Sequence, residues 1–148
     1  MKKDEILQAG ESASAPTRCQ PTPSNRILVV DDDADIRQVN ADVLRRFGYQ
    51  TETAAAGVAW EALQANRYDL LITDNNMPKV SGIELVEKVR SARMALPVIM
   101  ATGALPKEEF TRRPWLQPAA TLIKPYTVTE LLEAVKQVLR TIDDSARE

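Results

Sequence analysis

Short apolar runs alternate with longer, helix-spaced stretches along most of this chain. RILVV, Arg26–Val30, is apolar and rich in β-branched residues, the pattern of a buried strand. DDDADIRQVNADVLRRFG follows and sets Ile36, Val39, Val43, Leu44 and Phe47 at helical spacing, with Gly48 where a helix end favours glycine. Gln50–Ala54 reads as a second, weaker strand. Val58–Gln64 reads as a short helix with Trp60 and Leu63 turned to the core. Leu70–Thr73 is a third strand. Ser81 and Glu84 form an S-x-x-E capping box that opens a helix through Arg90. Pro97 leads into VIMA, a fourth strand, and Thr121–Ile123 is a fifth. Between these two, Pro106 to Pro118 is poorly patterned. Thr127 and Glu130 form a second capping box; Val128, Leu131, Leu132, Val135, Val138 and Leu139 mark one face of the last helix, expected to end near residue 141.

Strands alternating with helices predict an α/β fold. Right-handed crossovers would cover a parallel sheet on both faces. Ahead of it, residues 1–24 hold GESASAPTRCQPTPS, rich in Ser, Pro and Thr and without periodicity, which predicts a disordered extension. The domain is expected over residues 25–141, with 142–148 as a short tail and no separate output domain.

Composition narrows the function more than the fold. With 148 residues, 44% of them hydrophobic and 27% charged, the chain suits one soluble domain. A net charge of -2 argues against an extended basic surface for nucleic acid. No apolar run approaches the ~20 residues of a membrane helix, and MKKDEILQAG lacks the apolar stretch of a signal peptide. The expected location is the cytoplasm. One cysteine, Cys19, excludes an internal disulfide. The absence of histidine excludes Ser-His-Asp and Cys-His machinery and any His-ligated metal.

The remaining chemistry gathers at strand ends. The first strand runs into Asp31 and Asp32, the third into Asp74, the fourth ends at Thr102, and the fifth runs into Lys124. Asp and Asn are ordinary turn formers. In a parallel sheet, however, all carboxyl ends share one edge, where ligands bind at the reversal of strand order. These residues are therefore predicted to share one shallow pocket. Two carboxylates about 4 Å apart repel by roughly 4 kcal/mol at an effective dielectric of about 20. One lysine cannot balance three acids; a hard divalent cation with oxygen ligands can, and Mg²⁺ suits a site with few protein ligands. Such a pocket fits phosphoryl chemistry, with a carboxylate as nucleophile and the metal and Lys124 stabilising charge on the transferred group.

ILVVDDD, LLITDNNMPKVSG, VIMATG and LIKPY, in that order, resemble the receiver domain of two-component response regulators over about Asn25–Thr141. The resemblance implies a doubly wound (βα)5 fold with the flavodoxin-like strand order 2-1-3-4-5. It implies that Asp31 and Asp32 hold Mg²⁺, that Asp74 is the phosphoacceptor, and that Asp74 and the backbone carbonyl of Asn76 complete the metal ligands. Thr102 would bond the phosphoryl group and Lys124 would pair with it. A cis Lys124–Pro125 bond is expected. The implied partners are a sensor histidine kinase or a histidine phosphotransfer protein as donor and a downstream protein as target. Neither DNA nor membrane binding is expected, and a homodimer is compatible with the family. The protein would not be an enzyme beyond promoting its own phosphorylation and slow dephosphorylation. Asp33 and Asp35 suit a helix N-terminus better than a metal, and Trp60 and Trp115 suit packing.

The sequence also departs from the family. Thr121 stands where many members carry an aromatic reporter, and Ser81-Gly82 replaces Asp-Gly. Pro106, Pro114 and Pro118 predict a fourth helix that is short, shifted or partly unwound, since an interior proline costs ~3 kcal/mol. Asn76 and Ala104 offer no acid or base to position water, which predicts slow to moderate self-hydrolysis. Two other classes compete. A pseudo-receiver would bind proteins without being phosphorylated. A metal-dependent phosphatase would typically carry D-x-D after its first strand, whereas the first-strand acids here are contiguous.

Overall fold

The computed structural model describes residues 25–147. The extension expected over residues 1–24, Cys19 included, lies outside them. Among the described residues, five strands alternate with five helices: β1 (Arg26–Val30), α1 (Ala34–Arg46), β2 (Gln50–Ala54), α2 (Ala56–Ala65), β3 (Leu70–Thr73), α3 (Gly82–Ser91), β4 (Val98–Thr102), α4 (Lys107–Arg112), β5 (Ala120–Ile123) and α5 (Val128–Arg147). A 3-10 turn, Pro114–Leu116, lies between α4 and β5.

The strands form one parallel sheet in the order β2-β1-β3-β4-β5. β3 and β4 are buried along their whole length, which explains their unbroken apolar sequences. Alternate side chains feed opposite layers. Ile27, Val29, Leu70, Ile72 and Ile99 pack with α1 and α5, while Leu28, Val30, Leu71, Val98 and Met100 pack with α2 and α3. The chain leaves β1 toward β2, then crosses back to β3 on the other side of β1. The strand order thus reverses between β1 and β3, which places the switch point beside the residues that follow Val30 and Thr73.

Helix ends follow local chemistry. The Asp33 side chain caps α1, accepting from the amides of Asp35 and Ile36, and Gly48 takes φ 97° just beyond that helix. Both expected capping boxes form, Ser81 with Glu84 and Thr127 with Glu130. α4 has only six residues and no buried side chain, and Pro114 opens the 3-10 turn behind it. The proline-rich stretch is therefore short and partly unwound, as its sequence predicts.

Three expectations need correction. In α1 the buried residues are Asn40, Ala41 and Leu44; Val39 and Phe47 are 59% and 56% exposed, so the stripe read from apolar spacing is turned partly to solvent. Small Ala41 lets the helix sit close to the sheet, and Asn40 finds a polar partner described below. Trp115 is exposed instead of packed, whereas Trp60 packs against the α2–α3 layer with the Lys88 ammonium over its ring. The last helix continues past residue 141 to Arg147.

Candidate functional site

The switch point brings β1 and β3 together at their carboxyl ends. The Asp74 amide donates to the Val30 carbonyl (3.1 Å), so Asp31 and Asp74 leave adjacent strands side by side. Between β4 and β5, the Lys124 amide donates to the Thr102 carbonyl (3.0 Å). Residues 93 positions apart in sequence then meet: the Lys124 Nζ donates to Asp31 Oδ2 at 2.9 Å and to Asp74 Oδ2 at 3.3 Å. Both carboxylates are buried, at 4% and 8% exposure. Their other oxygens are held by backbone. Asp31 Oδ1 accepts from the Asp33 amide (2.9 Å), and Asp74 Oδ1 accepts from the amides of Asn75 (2.7 Å) and Asn76 (3.3 Å).

Burial by itself would lower the pKa of the Lys124 ammonium. Its hydrogen bond to Asp31 and the charges of Asp31 and Asp74 outweigh that effect, so the net shift is upward. The ammonium is thus held in its charged form between two acids. Two carboxylates against one ammonium leave this buried cluster net negative.

Thr102 is fully buried at the end of β4, and its hydroxyl has no hydrogen-bond partner among the described residues. A buried hydroxyl left unpaired costs about 1–3 kcal/mol, and such groups are rare enough to ask for a missing partner. Asp32 and Asn76 are exposed at the same edge. No group of three or more acidic side chains is assembled as a metal cage among the described residues. The pair that faces the ammonium is Asp31 and Asp74. Asp33 serves α1 as its cap, and the Lys124–Pro125 bond is cis.

Several residues of the site were not read as such from sequence. The Asn75 side chain accepts from the Ile83 amide (3.0 Å), and its carbonyl accepts from Met77 and Gly82, which fixes the loop behind Asp74 against the start of α3. The Arg37 guanidinium donates to the Asp31 carbonyl (2.8 Å), bracing the β1–α1 loop from the helix. Asn40 donates from Nδ2 to the Tyr126 hydroxyl (2.8 Å). The signal for Asn40 was present: a polar residue sits midway between Ile36 and Leu44 on an otherwise apolar stripe.

A model of the response regulator receiver domain matches residues 27–136. The chain belongs to this family. Over 123 residues this receiver domain is 39% identical to the chemotaxis protein CheY1 of Helicobacter pylori, covering 80% of the chain and 99% of CheY1. It is 36% identical over 147 residues to the sensor histidine kinase RcsC of Salmonella typhi, covering 97% of the chain but only 15% of RcsC. Among solved structures, the response regulator TrrA of Thermotoga maritima, in complex with Mg²⁺-BeF, matches with a TM-score of 0.66 and 31% identity, covering 77% of this chain and 98% of TrrA. Among the described residues, no helix is long and apolar enough to cross a membrane.

Proposed function

We propose that this receiver domain accepts a phosphoryl group on Asp74 from the phosphohistidine of a sensor histidine kinase or a histidine phosphotransfer protein, and thereby switches a protein-binding surface in the cytoplasm. The observation that carries the reading is the state of the Asp74 carboxylate, buried, fixed through one oxygen by two backbone amides, with the other oxygen facing an ammonium. A fixed, oriented carboxylate suits nucleophilic attack. An Asp74 oxygen attacks phosphorus, the bond from phosphorus to the donor's imidazole nitrogen breaks, and the imidazole keeps the electron pair. The product is an acyl phosphate. The Lys124 ammonium, already beside Asp74, then pairs with the new phosphoryl oxygens. The unpartnered Thr102 hydroxyl gains an acceptor.

The donor set suits Mg²⁺, since it consists of hard oxygens without histidine and the buried cluster is net negative. Asp31, Asp32, Asp74 and the Asn76 carbonyl are its proposed ligands, and the bound cation supplies positive charge against the carboxylates and phosphoryl oxygens. The Mg²⁺-BeF complex of the Thermotoga relative supports this choice. Beside Lys124, the residues Ile36, Val39, Pro125 and Tyr126 line an open groove, over which a histidine-bearing donor would approach. Output passes through a protein contact or onward phosphotransfer, and a homodimer is compatible with either. The acyl phosphate is expected to hydrolyse slowly to moderately, because Asn76 and Ala104 supply no acid or base at the site.

Acetyl phosphate with Mg²⁺ is expected to add one phosphoryl mass to the protein, and Asp74→Asn is expected to gain none. A wild-type protein that stays unlabelled would instead be a pseudo-receiver.

A further inference from the structure

Lys124 sits on the short connection between β5 and α5, and its position depends on what anchors that connection. On one side the Lys124 amide is bonded to the Thr102 carbonyl. On the other, Tyr126 packs against the α1–α5 layer and its hydroxyl accepts from Asn40 Nδ2 at 2.8 Å, a link across 86 residues. Asn40 is 7% exposed, on the buried face of α1. An amide there is unfavourable unless it is bonded, and an apolar residue would fill the same position. Its bond therefore asks for a role beyond packing. α1 begins directly after the loop that carries Asp31 and Asp32, and Arg37 on the same helix holds the Asp31 carbonyl. The Asn40–Tyr126 bridge thus ties the helix behind one acid to the segment that carries the ammonium facing it.

We infer that the Asn40–Tyr126 hydrogen bond positions Lys124, holding its ammonium between Asp31 and Asp74. This rests on the proposed Mg²⁺ site for its effect on affinity and on the proposed phosphoacceptor role of Asp74 for its effect on labelling. Two effects of opposite sign follow from the geometry. An ammonium held on Asp31 and Asp74 competes with an incoming cation for the same oxygens. The same ammonium, kept close, stabilises the phosphoryl group during transfer. Loss of the bridge frees the carboxylates for metal and weakens transfer. A merely structural role would move both in the same direction, toward loss.

The test uses the full chain with Asn40→Leu and Tyr126→Phe combined, which removes both polar partners together and leaves no unpaired buried amide; Tyr126→Phe alone is the second variant. Mg²⁺ affinity is read by calorimetry, labelling rate with acetyl phosphate at saturating Mg²⁺, and folding by urea denaturation. The double variant is expected to unfold at the wild-type urea concentration and to bind Mg²⁺ more tightly. It should label about tenfold more slowly, the usual scale for losing a supporting hydrogen bond. The inference is overturned if a folded variant keeps wild-type Mg²⁺ affinity, or if affinity and labelling fall together. Should wild type itself not label, the phosphoacceptor reading fails, while the change in Mg²⁺ affinity still decides the role of the bridge.

Discussion

A methyl group at residue 82 has no room. A Cβ built there lies 2.5 Å from the Asp74 carbonyl oxygen and 2.9 Å from the Asn75 Cα, both backbone atoms that cannot swing aside. α3 can start this close to the Asp74 loop only because its first residue lacks a side chain. Gly82→Ala is therefore expected to destabilise the fold by about 1–3 kcal/mol, the range for overpacking, as read by urea denaturation. The loop that fixes Asp74 moves with it, so labelling by acetyl phosphate should also fall. Gly82 stood in the sequence within a recognisable motif, but its reason was hidden, because close approach of two backbones leaves no trace in hydrophobic spacing. Asp31, Asp74, Thr102 and Lys124 were legible for the opposite reason. Each sits where an apolar run stops, and a parallel sheet gathers such stops at one edge. Asn40 went unread because helical spacing was counted on apolar residues alone. The stripe through Val39 and Phe47 looked stronger than the one through Asn40 and Ala41 that is buried.

Elements differ in how they are held, and their responses to substitution should differ accordingly. α3 is closed by a reciprocal capping box and buries Ile83, Leu85, Val86 and Val89. Ser81→Ala should remove about 1 kcal/mol, visible as a lower urea midpoint with unchanged slope. α4 buries nothing, and the segment behind it is seated by Leu116, which is fully buried. Leu116→Ala is expected to cost about 2–5 kcal/mol, whereas Trp115→Ser, at a side chain 60% exposed, should stay within about 0.5 kcal/mol. Prolines gave away the weakness of this helix in sequence; nothing there revealed that Leu116, not Trp115, is its plug, since both are large and apolar.

The amino-terminal edge of the sheet offers a pH test. The Tyr68 hydroxyl donates to Glu52 (2.5 Å), Glu52 accepts from Arg26 (2.8 Å), and the Arg26 guanidinium lies over the Tyr68 ring. Burial and then the Glu52 carboxylate push the Tyr68 pKa up from 10.0 to about 12. Because the folded value is raised, the contribution to stability is complete below pH 10 and is lost as pH rises towards 12. Phenolate absorbance should show this tyrosine ionising near pH 12. Glu52→Gln should lower the midpoint without returning it to 10.0, since burial, the larger cause, is untouched.

Across the whole molecule, stability is uneven in a way that suits a switch. β1, β3 and β4 are buried between two helical layers, while α4 lies outside both cores and contributes only a partly buried Phe110. Local opening follows burial, so amide hydrogen exchange should be fastest over Lys107–Arg112 among the elements and slowest in the central strands. The site connects to this region through the end of β4, where the Thr102 carbonyl also holds Lys124 and its buried hydroxyl waits unpaired. Moving an equilibrium from about 1:99 to 99:1 takes roughly 5.5 kcal/mol of differential binding. A dianionic group that engages Thr102 and Lys124 in only one arrangement of these loops can supply a large part of that. Phosphorylation of Asp74 is therefore expected to change exchange over residues 103–116 while leaving α1 and β1 nearly as they were. Thr102→Ala should still label, because the proposed phosphoacceptor and the ammonium remain, yet lose most of that change in exchange. If the variant kept the full response, Thr102 would be no more than a buried strand end, and the link between chemistry and surface would have to run through Lys124 alone.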